Sequence, residues 1–170
     1  MKNKNKILLA AIVLIGFATS ANAQATATAN SSASIVTPIS IANNVDMNFG
    51  NIAVQAATGG NVILPATAAA TRTKTGGVTL PNVTGTVTAA QFTVTGTPAY
   101  TYVISLPTTA TLANGANSMT AGSFTNSAAG TLSAGGTESF YVGATLAVGP
   151  GQAAGTYTTA TPFAVTVNYN

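Results

Sequence analysis

The chain is 170 residues long, 46% hydrophobic and only 4% charged, and it has no cysteine, histidine or tryptophan. Those absences exclude disulfides, thiol chemistry and a lipid-bearing cysteine, and they remove the imidazole of a serine triad and the ligands of a transition-metal site. The formal charge of +3 comes from Lys2, Lys4 and Lys6, while the rest of the chain sets Arg72 and Lys74 against Asp46 and Glu138, so no basic face is left for nucleic acid.

The first segment reads as an address. Lys2, Lys4 and Lys6 make a basic start, Ile7 to Phe17 is an apolar run too short to span a bilayer, and Ala21-Asn22-Ala23 supplies small residues for a signal peptidase. Residues 1–23 are expected to be a signal peptide for export through the Sec pathway. Residues 24–170 then form a single β-sandwich domain with no membrane span. With so few charges, solubility falls to Thr, Ser, Asn and backbone, and near-zero net charge favours self-association.

From Gln24 the chain alternates small residues. Ala25, Ala27, Ala29, Ala33 and Ile35 share one face, which predicts a strand or a free arm over 24–36, since Thr, Ser and Asn work against a helical backbone. After Pro38, Ile39 and Ile41 resume the alternation and Asn43-Asn44 reads as a turn. Val45, Met47 and Phe49 follow as a strand that Gly50-Asn51 closes. Thr58-Gly59-Gly60 turns the chain into Asn61 to Leu64, and Ala66 to Ala70 allows at most one helical turn. Arg72 and Lys74 precede the Gly76-Gly77 turn. Val78 to Leu80 and Val83 to Thr88 read as short strands about Pro81-Asn82. Ala90 to Thr95 places Phe92 and Val94 on one face, and Tyr100, Tyr102, Ile104 and Leu106 alternate until Pro107. Leu112 to Thr131, rich in Asn, Gly and Ser, reads as edge strands and loops.

The best patterned part is Thr137 to Asn170. Phe140, Val142, Ala144, Leu146 and Val148 fall on one face of a first run, and Phe163, Val165, Val167 and Tyr169 on one face of a second, with Gly149-Pro150-Gly151 between them. The reading is a hairpin whose buried face anchors the core. About eight to eleven short strands, with no amphipathic helix and no fixed repeat, give an all-β fold, an antiparallel β-sandwich or barrel.

Little reaction chemistry is available. Asp46 and Glu138 are the only acids, and nothing in the sequence joins them into a paired-carboxylate site; they read as surface groups near Arg72 and Lys74. Asn43-Asn44-Val45-Asp46 is too thin for calcium. The Gly-rich pieces are turns with no helix behind them to hold a phosphate. The expectation is no enzyme, no cofactor and no metal. Among the tyrosines, Tyr100, Tyr102 and Tyr169 share the core parity, which leaves Tyr141 as the aromatic best placed to be exposed for stacking on a sugar.

Several short motifs in order carry a resemblance. They are Ile35-Val36-Thr37-Pro38-Ile39-Ser40-Ile41, Met47-Asn48-Phe49-Gly50, Gly76-Gly77-Val78, Ala90-Gln91-Phe92-Thr93-Val94-Thr95-Gly96 and Leu106-Pro107. Tyr141-Val142-Gly143, Gly149-Pro150-Gly151-Gln152, Gly155-Thr156-Tyr157 and Val165-Thr166-Val167-Asn168-Tyr169 complete the set. Over most of Ala25 to Asn170 the chain resembles a bacterial secreted family of unknown function, number 4402. That resemblance implies a Gram-negative exported protein and no assigned activity.

More distantly it resembles spore-coat-U-like and chaperone–usher pilin subunits, whose sandwich is immunoglobulin-like. That resemblance implies a donor arm at Ala25, Ala27, Ala29, Ala33 and Ile35. It also implies a strand for a periplasmic chaperone or a neighbour at Phe163, Val165, Val167 and Tyr169. The partners implied are further copies of the chain and that chaperone. Two readings stay open: a surface fibre or coat subunit built by strand donation, and a monomeric exported module that binds glycan or matrix. Whether the arm pairs within its own chain or with another's is open as well.

Overall fold

The computed structural model describes residues 24–170, and the expected signal peptide lies outside them. The chain divides between Ser34 and Ile35 into two compact units. In the first, residues 24–34 carry no strand or helix, and every one of them is exposed.

The second unit is all-β. Its strands are β1 (Ser40–Val45), β2 (Ala53–Val54), β3 (Gly60–Leu64), β4 (Thr73–Gly76), β5 (Val78–Thr79) and β6 (Ala90–Thr95), then β7 (Tyr102–Ser105), β8 (Thr109–Asn114), β9 (Asn117–Asn126), β10 (Thr137–Val148), β11 (Thr158–Thr159) and β12 (Thr166–Tyr169). Every ladder is antiparallel. Eight strands make one sheet with the path β1-β6-β10-β9-β8-β11, to which β3 and β4 are attached through β10. β12 pairs with β7, and β2 with β5, as two small sheets.

β10 holds the large sheet together. Thr137 to Val142 pairs with β6, Ala144 to Val148 pairs with β3, and Val142 to Ala147 pairs with β9 along the opposite edge. Its alternation is realised fully: Phe140, Val142, Ala144, Leu146 and Val148 are all buried. Phe140 and Val142 belong to one buried cluster with Phe92, Val94, Tyr102, Leu132 and Val167. Ala144, Leu146 and Val148 belong to another with Phe49, Val62, Leu64 and Val78. A period of two along one long strand thus builds two adjoining cores.

The two C-terminal runs do not form the expected hairpin. Both edges of β10 are occupied, so the second run pairs with β7 instead, in the register Thr166↔Ser105 to Tyr169↔Tyr102. It meets β10 face to face: Val167 packs in the cluster that holds Phe140. The small β7–β12 sheet therefore stacks on the inner face of the large one, a sandwich-like arrangement at that end.

Other expectations shift locally. Asn43-Asn44 is a bulge within β1 rather than a turn, with a register shift between Asn43 and Val45; the Asn44 side chain accepts a bond from Thr93 Oγ1 at 2.8 Å. Val45 closes β1 opposite Gln91, Met47 to Phe49 makes only a single bridge, Asn48↔Thr88, and Val83 to Val87 forms no strand. The described residues hold twelve strands, close to the expected eight to eleven; β5 falls in the expected Val78 to Leu80 run, while β2 and β11 are two-residue pairings without a pattern of their own.

Candidate functional site

The β7–β12 sheet covers only the Phe140 end of the inner face. β7 stops at Ser105, before Leu106-Pro107, and Pro cannot continue a ladder. Among the described residues, 163–165 consequently have no strand to pair with. Beyond that point a cleft of about 1100 Å³ opens over the sheet. Its floor includes Phe92 of β6, Ala110 and Leu112 of β8, Met119, Ala121 and Phe124 of β9, and Leu146 and Val148 of β10. One wall is the segment 46–54 after β1, and the other is the segment 152–163 around β11. A long apolar trough with polar groups such as Asn48, Asn51 and Gln152 at its margin is the form that a binding groove takes.

Of the predicted strand-edge residues, Phe163 lines this cleft, and Val165, Val167 and Tyr169 lie outside its lining. Phe163, Val165 and Tyr169 are half-buried and Val167 is buried, so all four keep one face, but only Val167 and Tyr169 lie in a ladder. β12 is paired along one edge, to β7, and among the described residues no ladder runs along its other edge. Phe163 reaches into the cleft, its ring 5.2 Å from Phe124 and 6.5 Å from Phe92.

The predicted arm residues Ala25, Ala27, Ala29 and Ala33 belong to the first unit and are exposed. Ile35 opens the second unit and is fully exposed, at 100%. The chain is next fixed at Thr37, whose N–H donates to Thr97 Oγ1 at 3.0 Å. Tyr169 completes this attachment: its hydroxyl donates to the Thr37 carbonyl at 2.9 Å and accepts the Thr97 N–H at 2.7 Å. Tyr169→Phe keeps the ring against Tyr100 but leaves both backbone groups without that partner. A loss of about 1–2 kcal/mol in urea unfolding is expected, together with increased proteolysis near Thr37. An unchanged midpoint would show that water replaces the hydroxyl at no cost.

The ionisable groups do other work than the sequence suggests. Glu138 is half-buried. It accepts the Tyr102 hydroxyl at 2.8 Å and the Ala129 N–H at 2.5 Å, which ties the two sheets together. Burial, followed by the bond to Glu138 and that carboxylate's charge, pushes the Tyr102 phenol well above its usual range. Arg72 donates to the carbonyls of Phe49 and Asn51, fastening one cleft wall, and Asp46 accepts from Asn43. The expected placing of the two acids near Arg72 and Lys74 is therefore replaced by these backbone and side-chain partners. The described residues hold no group of three His, Cys, Asp or Glu able to take a metal, and no helix among them is long and apolar enough to cross a membrane.

Tyr141 is not the exposed aromatic. It packs against the Leu146 core, with Gln91 Nε2 donating to its hydroxyl at 3.4 Å. Tyr100 is the exposed one, at 43%: it shares the parity of Tyr102 but lies before β7 begins, where the alternation no longer buries it. No clean alternation marks the cleft floor on β8 and β9, because Leu112, Met119, Ala121 and Phe124 are spaced among Asn, Gly and Ser. The signal that would have located it is Gly115: a two-residue loop with Gly at its first position makes a tight hairpin, and here Gly115-Ala116 joins β8 to β9 in the register Asn114↔Asn117.

A family model described as "Domain of unknown function (DUF4402)" matches residues 39–169. No curated protein and no solved structure matches the chain. The family match begins beside β1 and ends on Tyr169, so it takes in every strand and the cleft: the chain belongs to the DUF4402 family.

Proposed function

We propose that this is an exported, non-enzymatic structural or adhesive protein, a subunit of a bacterial cell-surface fibre or coat that assembles by strand donation. The observation that carries the reading is the cleft of about 1100 Å³ over the inner face of the large sheet, between the segments 46–54 and 152–163. An immunoglobulin-like sandwich lacking its final strand would have such a cleft, and an extended segment from a second copy would complete it. The segment 24–36 suits that role, because it alternates, it is exposed, and its residues 24–34 form no structure of their own. Fully extended, those eleven positions reach roughly 35 Å.

Alanine side chains bring little apolar area at about 25 cal/mol per Å². The association would therefore rest on main-chain pairing along an open edge and on Ile35. A neutral remainder of the chain makes it insensitive to salt. In this reading a periplasmic chaperone would occupy the cleft before assembly, and the protein would be Gram-negative, Sec-exported and held at the periplasm or cell surface.

Deleting Gln24 to Ser34 tests it. The deletion is expected to leave a folded protein that stays monomeric by size exclusion with light scattering, while the chain that keeps the arm forms concentration-dependent oligomers. Oligomers that persist without the arm would sink strand donation. A chain that keeps the arm and remains monomeric at every concentration would favour a monomeric binding module instead.

A further inference from the structure

Phe163 stands between two hollows. It lines the cleft of about 1100 Å³ and also a second hollow of about 470 Å³ beside Pro107, Thr109 and Thr111. The two share Ala110 and Pro162 as well. Its ring rests on Phe124 of β9 and Phe92 of β6, on the floor of the cleft. The backbone that carries it, 160–165, lies outside every ladder, and Pro162 has no N–H to give. Among the described residues, only side-chain packing keeps the ring where it is.

That position has a steric consequence. Facing β-layers pack about 10 Å apart. An aromatic ring standing on the floor fills the space that an added strand would occupy, so no strand can lie flat across Phe92 and Phe124 while Phe163 stays. Without the ring, the faces of Phe92 and Phe124 would be open to an extended segment.

We propose that Phe163 is a placeholder for the incoming strand. It covers Phe92 and Phe124 in the free chain, and it swings out when the arm of a second copy enters. Its departure joins the two hollows into one trough. This rests on the strand-acceptance reading above and adds to it how entry is controlled. It also fixes the sign of an effect. A residue that merely helps to bind the strand slows assembly when truncated, whereas a placeholder speeds it.

The test is the assembly rate of the chain that keeps its arm, followed by light scattering. Phe163→Ala, which removes both ring contacts, is expected to assemble roughly tenfold faster, and Phe163→Leu by an intermediate factor. Variants that melt cooperatively like wild type but assemble at its rate, or more slowly, overturn the proposal. Should Phe163→Ala fail to melt cooperatively, Phe163→Leu decides on the same terms. The arm deletion separates the two levels. If deletion abolishes assembly and both Phe163 variants keep the wild-type rate, the placeholder alone is wrong. If wild type does not assemble, or assembles without its arm, strand acceptance and the placeholder fall together.

Discussion

Phe140→Ala is expected to cost about 3–5 kcal/mol, enough to leave much of the chain unfolded at physiological temperature. Phe140 is 0% exposed. It pairs directly with Phe92 across the β10–β6 ladder, the two rings stacked at 5.7 Å with 23° between their planes. Tyr102, Leu132 and Val167 close over it from the other side of the core. The cavity left by a benzyl group there is walled by strands fixed in two sheets, so it has little means of collapsing. That places the loss at the upper end of large-to-small core changes. Val103→Ala is the matched control. Val103 is 50% exposed on β7, and its truncation should stay within about 0.5 kcal/mol. Urea unfolding of both variants, with the slope m unchanged, checks the pair. A loss under about 1 kcal/mol for Phe140→Ala would mean that the β7–β12 sheet closes down on the large one and is not rigidly seated.

The contrast between those residues shows what the sequence carried. Strands with strict alternation were legible: Ala90–Thr95 is β6 to the residue, and every inward position assigned to the first C-terminal run is buried. Alternation reports which face is buried, and it reports nothing about which strand lies alongside. That is why β10 and β12 looked like a hairpin although both edges of β10 are taken by β6, β3 and β9. The same limit hid the candidate site. The cleft exists because β7 ends before Pro107 and leaves 163–165 unpaired, a consequence of topology and not of any local motif. Phe163 itself was legible as an inward residue, but its role between two hollows depends on Phe92 and Phe124, far away along the chain. Glu138 read as a surface acid because nothing nearby in sequence announces Tyr102 and Ala129 as its partners.

Gly143→Ala should cost about 3 kcal/mol, although it adds only one methyl group. Gly143 is the residue of β10 at which the strand changes neighbours: Val142 is the last to pair with β6, and Ala144 the first to pair with β3. On the opposite edge Gly143 faces Thr125 of β9, next to a register shift that ends at Thr145. The end of β3 runs directly across this gap. A Cβ on Gly143 would collide with the Leu64 carbonyl oxygen and approach Ala66 N and Pro65 C to 2.6 Å each. All three are backbone atoms, so no rotamer change relieves the clash, and β3 must pull away from β10. The cost is therefore steric, since the glycine is not in the left-handed region. Gly115→Ala provides the opposite case: φ is +58° in the β8–β9 turn, with nothing within 4 Å of an added Cβ, and about 1 kcal/mol of conformational strain is all that is expected. If the two variants lose equal stability, the close approach of β3 at Gly143 is not what the strand exchange requires. If Gly143→Ala loses the larger amount and amide exchange accelerates first in β3 and β4, the two cores along β10 are joined at this one residue, and the floor of the cleft depends on its having no side chain.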